Sequence, residues 1–126
     1  MNKHYIENEK KRTTTCIITN HPTITDKLIK KGATIAGLAT MGDYHKTNAS
    51  SFAGVARCHE LDTPNTETGH HISSSKADLA YHKAMANDLK DIKHMLMREI
   101  AIIKTLENHE SQMIDKTNAF IKSFKK

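Results

Sequence analysis

Hydrophobic residues recur at intervals of three and four from residue 75 to residue 124, in a stretch without glycine or proline. With His82 at position a of a heptad, most of the a and d positions are apolar. The apolar seam residues are Met85, Leu89, Ile92, Leu96, Ile103, Leu106, Met113, Phe120 and Phe124. This spacing predicts one long amphipathic helix over 75–126, whose seam side chains form an oligomer interface.

The width of this seam leaves the form of the assembly open. Neighbouring positions are also apolar, namely Met95, Ile100, Ile102, Ile114 and Ile121. Such breadth favours a trimer, a tetramer, or a dimer whose helices also receive the N-terminal segment. The polar seam residues Glu99, Glu110 and Thr117 either select a register or face outward. Because 107–112 lack apolar residues, the helix is either continuous or bent near 108–111 into a hairpin.

The sequence also predicts where this helix starts. Ser75 can accept hydrogen bonds from the amides of the first turn, and Asp78 three residues later completes a capping-box pattern. Lys122 falls in the last turn, where exposed carbonyls favour a cation. The predicted helix therefore begins at Ser75.

The N-terminal part of the chain has no comparable repeat. The β-prone segment 13–19 is short and isolated, so we interpret residues 1–22 as a flexible or extended arm. Residues 23–61 are predicted to form a small helical region, with one helix after the turn at Pro22 and a second from about residue 49. Pro and Gly within 62–74 favour a linker.

Composition supports association rather than a large independent core. The chain has 126 residues, of which 37% are hydrophobic and 5% aromatic, with no tryptophan. Its net charge of +5 is spread over both halves. The absence of a long apolar run and of a signal-peptide pattern predicts a protein that does not span a membrane and is cytoplasmic, or is exported by a route that needs no cleaved signal. Cys16 and Cys58 fit that environment as reduced thiols better than as a disulfide.

Residues 35–55 support an alternative interpretation as a loose helix-turn-helix. Its recognition helix would offer His45, Lys46, Asn48 and Ser51 to a DNA groove. Amides and hydroxyls suit base edges, and lysine neutralises phosphate. The spacing is a poor match, however, because Gly42 stands where a bulkier apolar residue would lock the two helices together.

The nine histidines raise the question of a metal site. Cys58 and His59, followed by His70 and His71, provide suitable ligand atoms, but the spacing matches no standard zinc motif. We interpret them as solvated side chains, and the sequence predicts no cofactor. No nucleophile elbow, phosphate-binding glycine loop or pair of catalytic carboxylates occurs, so no catalytic residues are assigned.

The sequence therefore predicts a mainly α protein with an N-terminal arm, short helices, a linker, and a long helix in a coiled coil or helical bundle. The function that follows is non-enzymatic: a homo-oligomeric structural, adaptor or assembly protein that contacts itself and another protein. The alternative is a small basic DNA-binding regulator that dimerises through the same helix.

Overall fold

The fold combines an antiparallel sheet with a long helix. The computed structural model describes residues 1–32, 45–49, 51–59 and 63–124. The elements, in chain order, are β1 (Asn2–Asn8), β2 (Thr13–Thr19), α1 (Ile24–Lys30), a 3₁₀ turn (Lys46–Asn48), β3 (Phe52–Arg57) and α2 (Thr66–Ser123). The predicted mainly α class is therefore wrong, because three strands form a sheet and the fold is mixed α/β.

The strand order β1-β2-β3 places β2 in the centre, with both neighbours antiparallel. Tyr5 pairs with Cys16, and Cys16 pairs with Gly54. Residues 1–22 are thus a hairpin rather than the predicted arm. Arg12 enables the tight connection, with a left-handed φ of 52° and an N–H that donates to the Glu9 carbonyl. The prediction failed because a strand is stabilised by partners that its own sequence does not reveal.

Alternate residues of β2 form the core. Cys16 and Ile18 have no exposed surface, whereas Ile17 between them is half-buried on the other face of the sheet. Gly54 of β3 lies so close to α2 that a Cβ atom there would meet the backbone of Ser73 and Ala77. Small residues therefore let the helix lie directly against the sheet.

The helix α2 begins before the predicted cap. The Asn65 carboxamide oxygen accepts from the N–H of Thr68 at 3.0 Å, so Asn65 caps the first turn. Ser75 instead lies within the helix and its hydroxyl donates to the His71 carbonyl. The second half of the predicted linker is consequently helical. The helix also continues through 108–111, so it does not form the hairpin considered above.

The predicted helical region 23–61 is only partly helical. Thr23 caps α1 through a capping box with Asp26, and the helix ends before Gly32, whose φ is +87°. The predicted second helix is wrong over 52–57, where the chain forms β3. Residues 33–44 lie outside the described residues, as does most of the predicted first helix of the helix-turn-helix.

The chain divides into two compact units, Met1–Leu89 and Lys90–Lys126. The first contains the sheet, α1 and the start of α2. Its core includes Cys16, Ile18, Ile24, Ala56, Ala77, Tyr81, Ala84 and Met85. The second consists of the remainder of α2. No helix in the described ranges is long and apolar enough to cross a membrane.

Candidate self-association surface

One side of the C-terminal unit carries most of its exposed large apolar side chains. We call it the apolar stripe, and define it as Met95, Ile100, Ile102, Ile103, Leu106, Met113, Ile114, Phe120, Ile121 and Phe124. Their exposed fractions run from 43% for Met113 to 73% for Phe124. Because a helix turns by about 100° per residue, these positions share one side of α2, within an arc of about 160°.

The opposite side of α2 is mostly polar. It carries Lys90, Arg98, Lys104, Asn108, Gln112, Asp115 and Lys122, interrupted by the exposed Met97 and by small residues such as Ala101 and Ala119. Near the end of the helix, Phe120 and Phe124 are one turn apart and their rings meet edge to face, with centroids 4.9 Å apart. The C-terminal part of α2 is therefore an amphipathic helix with two aromatic rings near its end.

The predicted interface residues fall into two groups. Met85 and Ile92 are each only 5% exposed, so neither is available on the surface. Leu89 is exposed, Leu96 is half-buried, and the remaining predicted residues from Ile103 onward belong to the apolar stripe. The heptad pattern thus continues from positions used for internal packing into positions that remain exposed.

The polar seam residues lie on the same side as the apolar stripe. Glu99, Glu110 and Thr117 are all exposed. At about 100° per residue they fall near the middle of the stripe rather than on the polar back. Glu107 is also exposed and lies within the arc of the stripe, so anything that packs there must accommodate three carboxylates.

A buried polar cluster in the N-terminal unit was missed by the sequence reasoning. Asp88 has no exposed surface, and its carboxylate accepts from the backbone N–H groups of Lys46 at 2.7 Å and Thr47 at 2.8 Å. The buried Thr47 hydroxyl in turn accepts from the N–H of Ile24, the first residue of α1. One side chain of α2 therefore fixes the 3₁₀ turn, and the turn fixes α1.

Two histidines border this cluster. The ring nitrogen Nε2 of His21 donates to the Thr47 carbonyl at 2.7 Å, while Nδ1 of His45 lies 3.9 Å from Asp88 Oδ1. The other ring nitrogen of each histidine is buried without a hydrogen-bond partner. The only sequence signal for this cluster was an aspartate, Asp88, at a helical position aligned with apolar residues.

Tyr81 joins the cluster to the aromatic core. Its hydroxyl donates to the Pro22 carbonyl at 2.7 Å, and its ring packs edge to face against His21 and Phe52. Burial raises the pKa of the Tyr81 phenol above its usual value of 10.0, and the nearby carboxylate of Asp26 raises it further. The neutral phenol is therefore the favoured form in the folded protein.

The residues of the DNA-binding interpretation do not form a recognition helix. His45 is buried beside Asp88, whereas Lys46, Asn48 and Ser51 are exposed. Lys46 and Asn48 belong to a single 3₁₀ turn, and β3 starts directly after Ser51. A helix that ran through these positions to residue 55 is thus absent.

The candidate metal ligands have other contacts. The ring of His70 stacks on Tyr5, with centroids 4.0 Å apart, and its Nε2 lies 3.1 Å from Glu7 Oε1. The thiol sulfur of Cys58 accepts from the Arg12 guanidinium at 3.5 Å. Within the described part of the chain, no group of three or more His, Cys, Asp or Glu side chains could hold a metal ion.

An open cleft of about 780 Å³ lies in the N-terminal unit, at the end of the sheet where α2 begins. Arg12 and Arg57 line it, but so do Glu7 and Glu9. Because both signs of charge are present, the lining selects neither an anion nor a cation.

No known protein family, curated protein or solved structure matches this chain.

Proposed function

We propose that this protein self-associates through the apolar stripe and acts as a non-enzymatic structural, adaptor or assembly protein. The observation that carries the proposal is the exposure of ten large apolar side chains on one side of α2, between Met95 and Phe124. Complete burial of such a side chain contributes about 1.5–3 kcal/mol, so leaving the stripe in water is costly. Large exposed apolar patches are typical of interaction sites.

A second copy of the chain is the simplest occupant. Every copy has the same stripe, so in a symmetric dimer the stripe of each copy can cover the stripe of the other. The stripe between residues 95 and 124 extends about 45 Å along the helix, which allows many layers of side chains to interlock. In an adaptor, the same helix would join this chain to a helical segment of another protein.

The residues of the DNA-binding alternative belong to the N-terminal unit and are not part of the apolar stripe. That alternative stays a prediction with weaker support, because His45 is buried and Lys46 and Asn48 lie on a short turn. Steep weakening of duplex DNA binding with salt, combined with sequence preference, would be the result that favours it.

The test is the change from Ile103 to Asp, which places an uncompensated charge in the middle of the stripe. Desolvation of this charge should cost several kcal/mol and increase the dissociation constant of the oligomer by a factor of about one hundred or more. Sedimentation equilibrium should give a mass well above 14.2 kDa for the wild type and a mass near that value for Ile103→Asp.

The matched control is Ala101→Asp, which adds the same charge to the polar side of the same turn. Its oligomer mass should equal that of the wild type, and circular dichroism should show that both variants retain their helix. A wild-type protein that remains monomeric at high concentration, or equal dissociation by both variants, would contradict the proposal.

A further inference from the structure

The apolar stripe is divided into two blocks of equal length. The first covers 95–106 and the second covers 113–124, and the intervening residues 107–112 are all polar. Glu99 lies within the first block, and Glu110 lies in the polar gap on the same side of the helix. The two blocks and two carboxylates together restrict how a second copy can be placed on the stripe.

We propose that neighbouring copies pair through the stripe in antiparallel orientation. The two-fold axis crosses the pair at the level of Asn108 along the helix. This inference rests on the self-association proposed above and adds the orientation and register. Position a of one helix then faces position d of the other. Residues 95–103 of the first block then pack on residues 113–121 of the neighbour's second block, and the two polar gaps overlap at the axis over 107–109.

The carboxylates argue against a parallel pair in register. In such a pair, Glu99 would face the same residue of the neighbouring copy, and so would Glu110. Two like charges a few ångströms apart in a partly desolvated seam repel each other strongly, and neither glutamate has a basic seam residue beside it. A parallel pair shifted out of register escapes this repulsion but leaves unpaired ends and has no two-fold symmetry.

The antiparallel pair centred on Asn108 sets no seam carboxylate directly opposite another. Glu99 faces Thr117, whose hydroxyl can donate a charge-assisted hydrogen bond to the carboxylate. Glu110 faces Leu106 beside the polar gap, where its carboxylate can reach water.

This register also pairs the apolar seam residues. Leu96 faces Phe120 and Ile103 faces Met113, so large side chains occupy both ends of the contact. The next antiparallel register in one direction sets Glu99 opposite Glu110. The next register in the other direction sets Glu99 opposite Phe124, which offers the carboxylate no hydrogen-bond donor. The axis at Asn108 is therefore the register that uses both blocks and sets no seam carboxylate directly opposite another.

Disulfide cross-linking between two singly substituted chains tests the orientation. One chain carries Ile103→Cys, the other carries Met113→Cys and a short mass tag, and both carry Cys58→Ser. After subunit exchange and mild oxidation, antiparallel pairing should yield mainly the mixed dimer, because residues 103 and 113 face each other. Predominant cross-links between identical chains would overturn the inference, since parallel pairs bring each cysteine to its own counterpart.

The change from Thr117 to Lys gives a second, independent readout. In the antiparallel pair the introduced cation faces Glu99, so the dissociation constant should fall by about twofold to fivefold. In a parallel pair it would face its own counterpart, and the dissociation constant would rise instead. Ala119→Lys adds the same charge on the polar side of α2 and controls for the change in net charge.

The outcomes separate the two proposals. An oligomeric wild type with cross-links between identical chains, or with weakened association of Thr117→Lys, refutes the antiparallel arrangement and leaves self-association intact. A monomeric wild type refutes both. Mixed cross-links together with tighter association of Thr117→Lys support both.

Discussion

The carboxylate of Asp88 accepts a hydrogen bond from the backbone N–H of Thr47 at 2.8 Å, and both residues are fully buried. They are separated by 41 residues in sequence. The other carboxylate oxygen accepts from the N–H of Lys46. Because a buried N–H without a partner is costly, this one side chain stabilises the 3₁₀ turn on which α1 in turn depends.

We therefore expect Asp88→Asn to destabilise the N-terminal unit. The replacement has the same shape, but its NH₂ group cannot accept a hydrogen bond, so one backbone N–H loses its partner. The free energy of unfolding should fall by about 1–3 kcal/mol, measured by chemical denaturation. Asp91→Asn is the control, because that exposed aspartate lies on the same helix. Equal stability of the two variants would show that the buried contacts contribute little.

The two faces of β2 should respond differently to the same substitution. Ile18→Ala removes a side chain with no exposed surface, and we expect a loss of about 2–5 kcal/mol in the free energy of unfolding. Ile17→Ala, on the half-buried opposite face, should cost about 1 kcal/mol or less. Thermal unfolding followed by circular dichroism would measure both. A larger loss for Ile17→Ala would mean that the sheet packs through its other face.

The close approach of β3 and α2 gives a further prediction. Gly54→Ala would place a Cβ atom against the backbone of Ser73 and Ala77 and 2.7 Å from the Cβ of Lys76. Because a backbone cannot rotate away, we expect a loss of about 1–3 kcal/mol in chemical denaturation. Ala53→Ser, at the adjacent exposed position, should be nearly neutral. A stability for Gly54→Ala equal to that of the wild type would contradict the direct packing of helix on sheet.

The phenol of Tyr81 should make stability depend on pH in the alkaline range. Its pKa is raised in the folded state by burial and by Asp26, so the unfolded chain loses this proton at lower pH than the folded one. The contribution is fully present below pH 10 and is lost as pH rises through the folded pKa. The free energy of unfolding should therefore decline above pH 10. Ultraviolet absorbance should show that the Tyr81 phenol ionises above pH 10 in the folded protein.

The matching variant is Tyr81→Phe, which has no ionisable phenol. It also removes the hydrogen bond to the Pro22 carbonyl, so at neutral pH it should be less stable by about 0.5–1.5 kcal/mol. Its alkaline decline should be shallower than that of the wild type. An identical decline in both proteins would assign the effect to other groups.

The long helix could be predicted because its signal is local. Residues three and four apart lie on one side of a helix whatever surrounds it, so the spacing from Leu96 to Phe124 was sufficient to place that segment. The same spacing identified five of the ten residues of the apolar stripe, and the apolar positions beside the seam are the other five. It could not show that Met85 and Ile92 are buried within the chain while Ile103 and Leu106 remain exposed.

The tertiary structure alone decided the sheet and the buried polar cluster. The polar segment Asn2–Asn8 and the short segment Phe52–Arg57 are strands because both hydrogen-bond to β2, and β3 is distant from it in sequence. Asp88 accepts a hydrogen bond from the backbone of Lys46, and these two residues are also far apart in sequence. Periodicity records which side of an element is apolar, whereas pairing and capping depend on which distant backbone groups the fold brings within hydrogen-bond distance.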